Sequence, residues 1–193
     1  MSESSSSLKL SMSVSMFEKA CYVIKTKMAG YREQIDAAAN CDSSKLYVFI
    51  DCDEADDKND KVRAQLFEAA TEFKATGGKI FAMSSRTIHY FSNGDTDEAF
   101  TKLYVRESMN AKDKAKYICR VLSKAPQDRI AFCFGYKCLD HLCGNSLIQE
   151  GVDVLVDVSG GNKKTQGKGY SIVEYLLLYL SICIHKQSLS TYD

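Results

Sequence analysis

Proline is nearly absent from this chain: Pro126 is the only one in 193 residues. No proline-rich linker therefore marks a domain boundary. Net charge is absent as well, with Lys+Arg and Asp+Glu at 25 each. No global field exists to draw in nucleic acid or an anionic membrane, which argues against both as partners. Histidine is scarce. Of the three, His89 and His185 lie beside apolar neighbours and read as core or surface residues, and His141 reads as a packing or helix-start residue beside Asp140. The longest apolar run, 172–184, contains Glu174 and falls short of the roughly 20 residues that span a bilayer. The opening Met-Ser-Glu-Ser-Ser-Ser-Ser lacks the basic and apolar regions of a secretory signal. What these absences leave is one domain with a sizeable core, expected in the cytoplasm.

Cysteine, by contrast, is plentiful. Most of the eight, at positions 21, 41, 52, 119, 133, 138, 143 and 183, sit in apolar periodic segments. That placement suits reduced core thiols. Cys133, Cys138 and Cys143 are separated by four intervening residues each, not by the two of a zinc knuckle.

Residues 1–13 are Ser-rich and expected to be disordered. Phe17, Cys21, Ile24, Met28, Tyr31 and Ile35 alternate steps of four and three, which predicts an amphipathic helix within 14–40. Its seam suits packing on the domain's flank, or oligomerisation. Strands are expected at 46–51, 79–83, 102–106, 129–134 and 152–158. Helices are expected beyond the acidic loop with Val62, Leu66, Ala70 and Phe73 on one face, at 113–124, at 139–149 and at 170–186. Gly77-Gly78 has the composition of a helix C-cap. The strands are almost continuously apolar, as when both sheet faces are covered. The alternation predicts a three-layer α/β sandwich with a mainly parallel sheet over 45–186, leaving 187–193 as a tail.

Functional groups collect at the carboxyl ends of strands in such folds. Leu46-Tyr47-Val48-Phe49-Ile50 runs into Asp51-Cys52-Asp53. Strand alternation lets both carboxylates lean one way, with Cys52 turned away. Such a pair can share a divalent cation or divide nucleophile and acid duties. The plainer reading is a solvated acidic loop, since Glu54, Asp56, Asp57 and Asp60 follow. The glycines at 160–161 and 167–169 lack the strand-to-helix spacing of a phosphate-binding fingerprint.

Asp51-Cys52-Asp53, Gly78-Lys79-Ile80-Phe81-Ala82-Met83-Ser84-Ser85-Arg86, the lysines 112 and 114, and Phe134-Gly135 leading to Asp140 follow one another in order. Together they resemble the four motifs of the haloacid dehalogenase (HAD) superfamily of phosphatases and phosphotransferases. The resemblance implies a HAD-like sheet and a magnesium-dependent phosphate-ester hydrolase acting on a small phosphorylated substrate. Asp51 would be the nucleophile, Asp53 the acid and base, and Ser84 and a lysine the holders of the phosphoryl oxygens. The register of Ile118 and Val121 favours Lys114 over Lys112. Magnesium would be held by Asp51, the Asp53 carbonyl and Asp140. The chain departs from the pattern where Glu54-Ala55 follows the first motif, and where Tyr136 and Leu139 replace polar residues of the fourth. Losing a carboxylate at Tyr136 implies a weakened metal site, hence a weak enzyme or a pseudoenzyme. The segment between the second and third motifs is too short for a large cap domain.

Two other readings compete. The alternation also resembles PIN- or NYN-type nucleases, with Asp51, Asp113 and Asp140 around magnesium. That reading leaves Ser84 without a role, and Lys163, Lys164 and Lys168 make only a small basic patch. A non-catalytic HAD-like interaction protein is the third. The Ser-rich start before an amphipathic segment would then suit an exported effector.

Overall fold

A computed structural model describes residues 18–19, 21–23, 25–26, 28–51, 60–85, 108–135, 149, 151–157 and 172–185. Among the described residues four strands form one sheet: β1 (Leu46–Asp51), β2 (Lys79–Met83), β3 (Ile130–Gly135) and β4 (Val154–Asp157). Their spatial order is β2-β1-β3-β4, and every pairing is parallel. Helices accompany them, among the described residues α1 (Arg32–Asn40), α2 (Asp60–Ala75), α3 (Ala111–Leu122) and α4 (Ile172–His185). The expected α/β class, with a parallel sheet and helices, is what the chain adopts. The expected strand at 102–106 and both tails lie outside the described residues, as does the expected helix at 139–149 except for Gln149, which is helical.

Alternation along the strands divides the interior into two clusters. Leu46, Val48, Ile50, Ile80, Ala82, Phe132, Phe134, Val154 and Val156 face α1, α2 and α4. Tyr47, Phe49, Met83, Ala131 and Cys133 face α3 through Ile118 and Leu122. Helices thus cover both faces, which is why the strands read as unbroken apolar runs. The path from β1 through α2 to β2 uses one face, and the path from β2 through α3 to β3 uses the other. The chain leaves β1 in one direction and β3 lies on β1's other side. The carboxyl ends of β1 and β3 therefore flank a topological switch point, the usual place for a ligand crevice in an open sheet.

Helix α4 shows why a helix that is apolar nearly all round must be interior. Every residue from Leu176 to Cys183 is buried, Ser181 included, because α4 packs against the sheet and against both α1 and α2. The Tyr179 ring packs against Phe132 and Phe134, with centroids 4.4 and 5.5 Å away. Burial pushes the Cys183 thiol up to about 12. The described cysteines, 21, 41, 119, 133 and 183, are all free thiols. No helix among the described residues is long and apolar enough to cross a membrane.

The amphipathic seam at 14–40 is not one helix. Met28 departs from helical geometry (φ −116°, ψ 22°), and a short 3-10 turn, Ala29–Tyr31, leads into α1. The Met28 amide reaches back to the Val23 carbonyl at 3.3 Å. This break lets Val23, Met28 and Ile35 all enter the core, whereas an unbroken helix would turn Val23 off the seam. Tyr31 donates a 3.4 Å hydrogen bond to the Leu155 carbonyl, fastening the segment to β4. The seam's buried side chains are thus used inside this chain.

Two glycines stop α2. The Gly78 amide donates to the Phe73 carbonyl and the Gly77 amide to that of Lys74, both at 3.0 Å. This double return is a Schellman closure, with Gly77 at φ +100°. A β-carbon on Gly78 would lie 2.3 Å from the Phe73 ring, which is fully buried. Gly78→Ala is expected to cost about 1–3 kcal/mol of stability through overpacking. Urea unfolding of the variant checks this, and an unchanged midpoint would mean that the Phe73 ring is not confined.

Candidate functional site

Asp51 is the last residue of β1, and alternation gives it the same side of the sheet as Tyr47 and Phe49, toward α3. It is 2% exposed. The carboxylate is met by Lys114, itself 5% exposed, whose Nζ stands 3.0 Å from Oδ1 and 3.1 Å from Oδ2. One ammonium thus spans both carboxylate oxygens. Both ions are withdrawn from water, a cost that their mutual attraction must offset.

The helix delivers this lysine by its spacing. Lys114, Ile118 and Leu122 recur every four residues on the buried row of α3, so the apolar pair that seats the helix also turns Lys114 inward. The start of α3 is set by Asn110, whose side-chain oxygen accepts from the Asp113 amide at 2.9 Å. Its carbonyl accepts from the Lys114 amide, also at 2.9 Å. The helix therefore begins two residues before the expected 113. Immediately upstream, the Met109 amide donates to the Ser84 carbonyl at 2.7 Å. Ser84 directly follows β2 and is fully buried. Since Asp51 is paired with Met83 across the sheet, Ser84 lies one residue beyond the level of the carboxylate. The end of β1, the end of β2 and the first turn of α3 converge.

On the other side of β1, Cys133 pairs with Phe49 and is fully buried on the α3 side of the sheet. Its thiol is pushed well above the ordinary range, first by desolvation and then by the Asp51 charge, with Lys114 partly opposing. It is a neutral thiol at physiological pH, a floor to the site rather than a nucleophile.

Of the sequence-derived site residues, Asp51, Ser84 and Lys114 are thus brought to one end of the sheet. Lys112, the other candidate lysine, is exposed. Asp113, which the nuclease reading needs beside Asp51, is also exposed, in the first turn of α3. A carboxylate there favours the helix dipole. Asp53, Asp140 and Tyr136 lie outside the described residues. Asp51 is an oxygen donor of the kind magnesium takes. Among the described residues no group of three or more His, Cys, Asp or Glu side chains gathers as a metal site. Sequence reasoning read Cys133 as a core thiol without placing it near Asp51, and gave Asn110 no role. Asn110 did carry a signal, an Asn three residues before an acidic residue at a helix start.

No protein-family model, curated protein or solved structure matches the chain.

If Asn110 sets where α3 begins, Asn110→Ala should cost about 1 kcal/mol, and Asn110→Asp, which keeps the capping oxygen, much less. Thermal unfolding of the two variants measures the difference. Equal losses would show that the cap does not fix the helix start.

Proposed function

We propose that the protein is a phosphate-ester hydrolase that works through an aspartyl-phosphate on Asp51, with a small phosphorylated molecule as substrate. The observation that carries this reading is the buried Lys114 ammonium lying across both oxygens of Asp51 at the end of a central parallel strand. A buried ion pair is seldom the cheapest way to stabilise a core. Its position at a switch point makes it a candidate for chemistry.

In this reading an Asp51 oxygen attacks phosphorus in line with the ester oxygen, forming the acyl phosphate as the P–O bond to the alcohol breaks. The leaving alkoxide takes a proton from the Asp53 carboxyl group. A water, deprotonated by the same Asp53, then attacks the phosphorus and releases inorganic phosphate, restoring the Asp51 carboxylate. A carboxylate and a phosphate dianion repel one another, and Lys114 offsets that repulsion by shielding Asp51 and then the equatorial oxygens. The Ser84 hydroxyl would donate to one of those oxygens. Magnesium, held by Asp51, the Asp53 carbonyl and Asp140, would supply further positive charge.

The test uses purified protein with magnesium and an aryl phosphate. Wild type should release phosphate. Asp51→Asn should abolish turnover, and Lys114→Met should lower kcat by roughly a hundredfold, the scale of losing one charge-stabilising donor. Acid-quenched wild type should retain phosphate covalently and Asp51→Asn should not. Equal turnover in wild type and Asp51→Asn would overturn the proposal.

A further inference from the structure

The outer row of α3 carries something the overall charge balance conceals. Lys112, Lys116 and Arg120 are spaced four apart, and Lys124 follows one turn later, just past the helix end. All four are exposed, and none takes part in an ion pair among the described residues. Four-residue steps follow one ridge of a helix surface, at about 6 Å per step and about 18 Å from first to last. Asp113 is the one acidic residue on the helix, and it sits at the start of the ridge. Midway along, the Arg120 guanidinium lies 5.4 Å from the centroid of the half-buried Tyr117 ring.

We propose that this ridge binds the phosphate backbone of a single-stranded nucleic acid. Its even pitch is one that the phosphates of an extended strand can follow, and backbone binding requires aligned cations more than any pocket. Tyr117, packed edge-on against Phe81, carries the Arg120 guanidinium and steadies it in the row. An anionic bilayer fits less well, because insertion needs free apolar side chains beside the cations. On α3 those side chains, Ile118 and Leu122, are spent in the core, with Ala115, Tyr117 and Val121 packed around them. An acidic protein partner would look for an apolar anchor at the centre of its interface, and the ridge presents none. The inference is independent of the phosphatase reading, since none of these four side chains reaches Asp51.

The test is fluorescence anisotropy of full-length protein with a labelled oligothymidylate at low and rising salt. Binding should weaken with a log–log salt slope near −3, about 0.7 for each of the four cations. Lys112→Glu/Lys116→Glu should weaken binding by roughly tenfold or more at low salt, as expected when two of the four phosphate contacts are lost. Lys19→Glu/Lys25→Glu makes the same change in net charge at exposed lysines elsewhere and should weaken it less than about twofold on the same grounds. Thermal unfolding of both double variants checks that the fold persists. Lys112→Gln/Lys116→Gln gives the milder loss should the reversal prove disruptive. No binding by wild type, or equal weakening in the two reversal variants, overturns the proposal. So does equal or preferential binding to polyglutamate or to phosphatidylserine vesicles.

Discussion

A buried carboxylate must be compensated, and in this chain that requirement joins three parts of the structure. Asp51 closes the central strand, and Lys114 compensates it. For Lys114 to reach it, α3 must lie against the Tyr47–Phe49–Cys133 side of the sheet, with its start fixed to within one residue. A slip of one residue along the helix rotates a side chain by about 100° and would carry the ammonium out of the interior. The Asn110 cap, the Met109–Ser84 hydrogen bond and the Ile118–Leu122 contacts each restrict that slip. The ion pair is weak evidence for stability, but it is strong evidence that this end of the sheet is specified in detail.

The rest of the fold supplies rigidity at that point. β1 is paired on both sides, its neighbours β2 and β3 both parallel to it. One face is sealed by the unusually apolar α4 together with α1 and α2, the other by α3. Asp51 can therefore move little without shifting the backbone of a doubly paired strand. Preorganisation of this kind is what transition-state stabilisation asks of a site, and a loop-borne carboxylate would lack it.

Much of this was legible in the residues. The apolar run ending at Asp51 marked a buried strand, and the register of Ile118 and Val121 singled out Lys114 over Lys112. The glycine pair at 77–78 marked the helix stop. The break at Met28 was not legible, because steps of four and three continue through it; Val23 enters the core only by tertiary packing. The α3 start was legible in Asn110 but was placed two residues late, because the apolar register alone was followed. The basic ridge escaped notice because Lys112 was read with Lys114 against Asp51 and not with Lys116 and Arg120 along the helix. Balanced composition hides local charge, and only the placement of the helix separates its inner lysine from its outer ones. The roles given to Asp53, Asp140 and Tyr136 rest on sequence alone.

The central claim is that Asp51 and Lys114 are bound to each other in the interior and owe their burial to that partnership. A double-mutant cycle in urea unfolding measures it directly, using Asp51→Leu, Lys114→Met and the pair combined. Each single variant strands one buried charge and should lose about 3–5 kcal/mol. The double variant should be more stable than either single, since no uncompensated ion remains. Additive losses, with the double less stable than both singles, would mean that the two groups do not depend on each other and would contradict the account.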